Sequence, residues 1–299
     1  MIIQFLRKIS PWHFVFSTLT YLFGIGIAHY LGIPVNWNTA WNGLIWIILI
    51  IISSGYLRAF LFYSEFTNPE NKINPDNKKN ELKNEKYLRN IYLLTSISCL
   101  AVSLIPLMYF ILRGIINPLV VIFLGLTFGI IYILEVFPDP FINTGLFEFL
   151  RSIYFATLIP SLAFIIQSGY VHRLNFLLTF PLVFLFFAFF IVLSVSAVEN
   201  NNSFSKESLV LKIGSINVLR LHNLLILFAY LLLGLEIFFD LPWKLIWPGL
   251  VALPIALFQV WQIHEIELGR KPVYSLLVLN AIASTSLTTY FILLALWLN

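Results

Sequence analysis

A single cysteine among 299 residues excludes a disulfide framework and a cysteine-rich metal site. Cys99 lies inside an apolar run and reads as a small core residue. No two of the five histidines have the spacing of metal ligands; His222 lies in the seventh apolar run, and His264, with Glu265, at the end of the eighth. Charge is equally scarce, at 11% of residues against 60% hydrophobic. The formal charge of +4 and pI near 9.1 do not indicate a nucleic-acid partner, because the basic residues are dispersed through short connecting segments. Alternating apolar and polar residues are also missing from the apolar stretches, which excludes a membrane β-barrel.

What fills the chain instead is apolar sequence, with a mean hydropathy of +0.90. Runs of about 20 residues recur, enough to carry a helix across a hydrocarbon core of about 30 Å. Backbone groups in lipid must be satisfied within their own segment, so the fold is all-α and polytopic. Nine spans are expected, at 12–32, 40–66, 88–112, 116–136, 146–169, 174–198, 217–239, 245–264 and 274–298. The first follows Arg7 and Lys8 but is too long for a signal peptide and lacks a small-residue cleavage site, so it reads as a retained span. Residues 1–299 form one transmembrane domain with a polar loop at about 67–87.

With the N-terminus in the cytoplasm, fourteen Lys and Arg residues fall inside, and only Arg113, Arg173 and Lys244 fall outside. That bias puts the polar loops in the cytoplasm and the C-terminus on the opposite side, in a cell membrane. Trp12, Trp37, Trp41, Trp243, Trp247 and Trp297 lie near span ends, as an aromatic belt does. Pro106, Pro160, Pro181, Pro248 and Pro254 fall inside spans, where each removes a backbone donor and favours a kink.

Two polar patches interrupt this pattern. From Thr67 to Lys86, nine of twenty residues are charged and six are Asn, and Asn68-Pro69 and Asn74-Pro75 favour turns. The second patch, Ser194 to Asn202, closes the sixth span. Arg58, inside the second span, is an intramembrane charge, which marks a functional site by default and suits an anionic head group.

Arg7-Lys8-Ile-Ser-Pro-Trp12, Gly24-Ile-Gly-Ile-Ala28, Asn71-Lys-Ile-Asn-Pro75 and Ser208-Leu-Val-Leu-Lys-Ile-Gly214 together resemble the UbiA superfamily of intramembrane prenyltransferases. The resemblance covers nearly the whole chain. It implies nine helices around a central cavity and transfer of an isoprenyl group from a prenyl diphosphate to a lipid-soluble or aromatic acceptor, with Mg²⁺ as cofactor and membrane lipid as surroundings. The family's N-x-x-x-D-x-x-x-D pattern at the end of helix two falls on Tyr63, Thr67 and Asn71, and its D-x-x-x-D pattern at the end of helix six on Ala197 and Asn201. All four aspartates are replaced.

Asn lends a carbonyl oxygen but no charge, so divalent binding is expected to be weak. Nearby carboxylates at Glu65, Glu70, Asp76 and Glu199 are the available substitutes. Glu65 sits two residues before Thr67 and so points to another helix face. The expected substrate-binding set is Arg58, Tyr63, Thr67, Asn71, Glu199 and Asn201, and the expected metal set is Glu70, Asn71, Glu199 and Asn201. The loop from Phe137 to Leu146 lacks the basic residue that family members use on the diphosphate. A non-catalytic isoprenoid-binding relative is the alternative, and a multi-span transporter a third reading.

Overall fold

The computed structural model describes residues 12–61, 78–136, 145–199 and 209–299, with side chains described for all of these but 78–86, Glu199 and Leu211. Helix α1 spans Trp12–Tyr30, α2 Trp37–Leu61, α3 Lys78–Leu112 and α4 Pro118–Val136. Next come α5 over Leu146–Ile153, a wide π-turn at Tyr154–Leu158, and α6 over Ile159–Ser168. Helix α7 covers Arg173–Glu199, the short α8 Leu209–Ile213, and α9 Ser215–Leu235, which ends in a 3₁₀ turn at Glu236–Phe239. The chain closes with α10 at Trp243–Leu250, α11 at Leu253–Glu267 and α12 at Tyr274–Leu298.

Among the described residues, seven helices are long and apolar enough to cross a membrane, or eight if the bent α10–α11 pair is one span. No strand occurs among them. This is the helix inventory of an integral membrane protein. The outer surface agrees: Leu94, Ile97, Ile105 and Leu112 on α3 face outward, an apolar display that lipid accepts and water penalises.

Most expected boundaries hold to within a few residues, because uniformly apolar sequence ends abruptly where a loop must reach water. The expected span 40–66 is helical through Leu61, and 62–66 lie outside the described residues. Span 245–264 is interrupted after Leu250 and bent by 40° into α11. Pro254 stands in the first turn of α11 and cannot donate to the carbonyl four residues back, so the helix cannot run straight through. Pro160 acts similarly in the α5–α6 span, where the π-turn widens the helix just before it and Ile159 N–H reaches back to the Tyr154 carbonyl. Pro106 and Pro181 are absorbed within continuous α3 and α7.

Helices α1 and α5–α6 form the centre. On one side α2 carries α3 and α4; on the other, α7 packs on α9 and α12, and α12 on α10 and α11. Helix α1 touches α2, α6 and α12 and so joins the two groups. At one end of the bundle, Asn36 N–H donates to Gln167 Oε1 (3.0 Å) and Asn117 Nδ2 to the Gly169 carbonyl (2.9 Å), tying three loops together. His29, Trp37 and Trp297 stack at that same end. Most of the described charged residues lie at the other.

Candidate functional site

At that other end, three helices bring their charges to one point. Arg58 comes from the last turn of α2, Glu135 from the last turn of α4 and Arg151 from α5. Arg58 Nη1 donates to Glu135 Oε2 at 3.0 Å, and Arg151 Nη2 donates to Glu135 Oε1 at 2.8 Å. The three side chains are only 17%, 10% and 16% exposed in the order Arg58, Glu135, Arg151. A carboxylate at a helix C-terminus meets the negative end of the helix dipole, so Glu135 is tolerated there because two guanidiniums clamp it.

Beneath the charges lies an aromatic floor. The Arg151 guanidinium sits 4.4 Å from the Phe147 ring centre and 6.0 Å from that of Phe190, within range of a cation–π attraction. Phe190 adjoins Phe155 and Phe189, and Phe16 from α1 packs edge-on against Phe186 at 5.0 Å. One turn before Arg151 on the same helix face is Glu148, which is buried. Its Oε1 accepts from Ser194 Oγ (3.0 Å) on α7 and from Leu209 N–H (3.3 Å) at the start of α8. Three buried polar atoms here have no hydrogen-bond partner among the described residues: Arg151 Nε, Glu148 Oε2 and Tyr154 Oη.

Of the residues expected from sequence, Arg58 is in this cluster. Tyr63, Thr67, Glu70, Asn71 and Asn201 lie outside the described residues, as do Glu65 and Asp76. Glu199 ends α7, with its side chain outside the description, and Ala197 is half-buried one turn-fraction earlier. Helices α2 and α7 are not extensive packing partners; α4 and α5 link them, through Arg58–Glu135–Arg151 and then Glu148–Ser194. Sequence reasoning missed Glu135, Glu148 and Arg151. Arg151 is one of the fourteen basic residues on the inner side in the sequence reading, and the structure puts it in α5, just after the loop from Phe137 to Leu146. Glu135 carries the same signal that singled out Arg58, a charge inside an apolar span.

The two carboxylates of this cluster are already engaged. Both oxygens of Glu135 are held by guanidiniums, and Glu148 is engaged through Oε1 by a hydroxyl and an amide. No group of three or more His, Cys, Asp or Glu that could hold a metal occurs among the described residues. His222 is a core residue: its Nε2 accepts from Gln259 Nε2 at 2.9 Å, which leaves Nδ1–H to point at Asn223 Oδ1. Ser284 Oγ donates to Gln259 Oε1 at 3.2 Å and completes that network between α9, α11 and α12. The cluster thus holds two guanidiniums from separate helices on one carboxylate, beside aromatic faces. No family model matches the sequence, and no curated protein matches it.

Proposed function

We propose that this chain is a UbiA-like intramembrane prenyltransferase with nine helices, which binds a prenyl diphosphate at the Arg58–Glu135–Arg151 cluster. In this reading the cluster faces the cytoplasm. The observation that carries it is the convergence of two guanidiniums from separate helices on one carboxylate, with Arg151 Nε and Tyr154 Oη still lacking an acceptor. A diphosphate oxygen supplies that acceptor. The allylic C–O bond then breaks, the electron pair leaves with the diphosphate, and the acceptor's nucleophilic atom takes the allylic carbon and loses a proton. Guanidinium N–H groups stabilise the developing charge on the leaving group, and the Phe147 and Phe190 faces suit the cationic carbon. Glu70, Asn71, Glu199 and Asn201 are the proposed positions for any divalent ion, and no step is assigned to it.

Titration of farnesyl diphosphate into the purified protein in nanodiscs tests this. Arg151→Gln removes a charge-assisted contact worth about 1.5–3 kcal/mol, so affinity falls at least about tenfold. Arg151→Lys keeps the charge but not the fork and is expected to recover only part of the loss. Binding that is unchanged in Arg151→Gln rejects the assignment. Binding without transfer to any aromatic or lipid acceptor favours the non-catalytic isoprenoid-binding reading.

A further inference from the structure

About thirty ångströms along α9 from Ser215, at 1.5 Å per residue, the helix tightens into its terminal 3₁₀ turn. The first residue of that turn is Glu236, which is only 4% exposed. Among the described residues neither of its carboxyl oxygens has a hydrogen-bond partner, and no cation pairs with it. A buried carboxyl left so is costly, and costlier still in a protein that lies in lipid. Glu135 shows the contrast within one chain: it is comparably buried, yet both of its oxygens are engaged by arginines.

Glu236 lines a cavity of about 460 Å³ between α7, α9 and the π-turn. Small-ligand sites typically measure roughly 300–1,000 Å³. The cavity lies where the π-turn and the terminal 3₁₀ turn of α9 face the continuous helix α7. The π-turn contributes Thr157, α7 contributes Thr179 beside Pro181, and the 3₁₀ turn contributes Glu236 and Phe239. The remaining lining is apolar, and Phe180 and Phe239 are themselves more than half exposed on the outer surface. A molecule dissolved in the membrane therefore meets aromatic rings first, and the Glu236 carboxyl group, with both oxygens shielded, stands in the wall behind them.

We infer that this cavity is a binding site for a lipophilic amine, whose ammonium group pairs with Glu236 and whose alkyl chain fills the apolar remainder. A carboxyl group among aromatic faces recognises a cation twice, by charge and by the ring quadrupoles. Neither feature favours an anion, and an alcohol would gain only one neutral hydrogen bond. The site is separate from the arginine cluster and does not depend on the prenyl diphosphate reading.

The test is saturable binding of radiolabelled dodecylamine to the full chain in phosphatidylcholine nanodiscs, with dodecanol as the matched neutral competitor. Wild type is expected to bind dodecylamine saturably at one site per chain. Glu236→Gln weakens binding by about tenfold or more, the loss expected for a buried hydrogen-bonded charge. Leu235→Trp fills the cavity while keeping the carboxyl group and also abolishes binding, so a folding failure of one variant leaves the other to decide. Gel filtration and thermal unfolding establish that each variant is folded. Equal binding by wild type and Glu236→Gln, full competition by dodecanol, or no saturable binding to wild type would each overturn the inference.

Discussion

Glu135→Gln is expected to destabilise the protein by about 3–5 kcal/mol, the usual cost of removing one partner from a buried ionic cluster. Glu135 accepts through both oxygens, one from Arg58 and one from Arg151. A glutamine amide has one acceptor oxygen and one donor nitrogen, so one guanidinium loses its partner and faces an N–H group. Both arginines are more than four-fifths shielded, so solvent compensates little for the lost charge. The resulting repulsion falls where α2, α4 and α5 meet. Replacing Arg58, Glu135 and Arg151 together by Met, Leu and Met removes all three charges at once and is expected to cost less, because none of the three is left facing the gap of another. Unfolding in graded denaturing detergent, followed by circular dichroism, measures both variants. If Glu135→Gln is as stable as wild type, the ion pairs are not holding the helices.

Gly24→Ala is expected to be strongly disruptive, at about 3 kcal/mol or more, the upper end for overpacking. A Cβ on Gly24 would land on the Pro160 carbonyl oxygen, inside van der Waals contact, and 2.8 Å from its carbonyl and α carbons. These are backbone atoms, so no rotamer change relieves the clash and α1 must move away from α6. That interface lies at the centre of the bundle and joins both helix groups. Membrane helices approach closely through small residues because lipid offers no hydrophobic drive to hold them together, and contact at short range must do so. Gly43→Ala is milder, at about 1–2 kcal/mol, because the obstructing atom is the hydroxyl end of the Tyr21 side chain rather than backbone. At Gly125 and Gly129 an added Cβ meets nothing within 4 Å. Alanine there is expected to be neutral or stabilising by about 0.5–1 kcal/mol through helix propensity alone. Thermal unfolding of the four variants in one detergent gives the ranking; a Gly24→Ala midpoint equal to that of Gly125→Ala would show that α1 and α6 are not in the contact described.

Local sequence by itself determined the helical class and the positions of the apolar helices. Hydropathy is a property of a continuous window, and a helix satisfies its own backbone without help from distant residues. Thus 274–298 could be read directly as α12, and 174–198 as α7. Local sequence also marked Arg58 and the Gly24-Ile-Gly-Ile-Ala28 stretch as unusual, though not what they meet. Their partners depended on tertiary structure. Arg58 finds Glu135 across 77 residues of sequence, and Gly24 meets Pro160 on a helix that is not its neighbour in the chain. A charge pair or a close backbone approach is defined by which helix faces are brought together, and nearly uniform apolar faces carry no periodic signal to specify that. The same holds for Glu236. It stands within an apolar stretch of sequence, but that it has no hydrogen-bond partner among the described residues is decided only where α7, the π-turn and α9 enclose it.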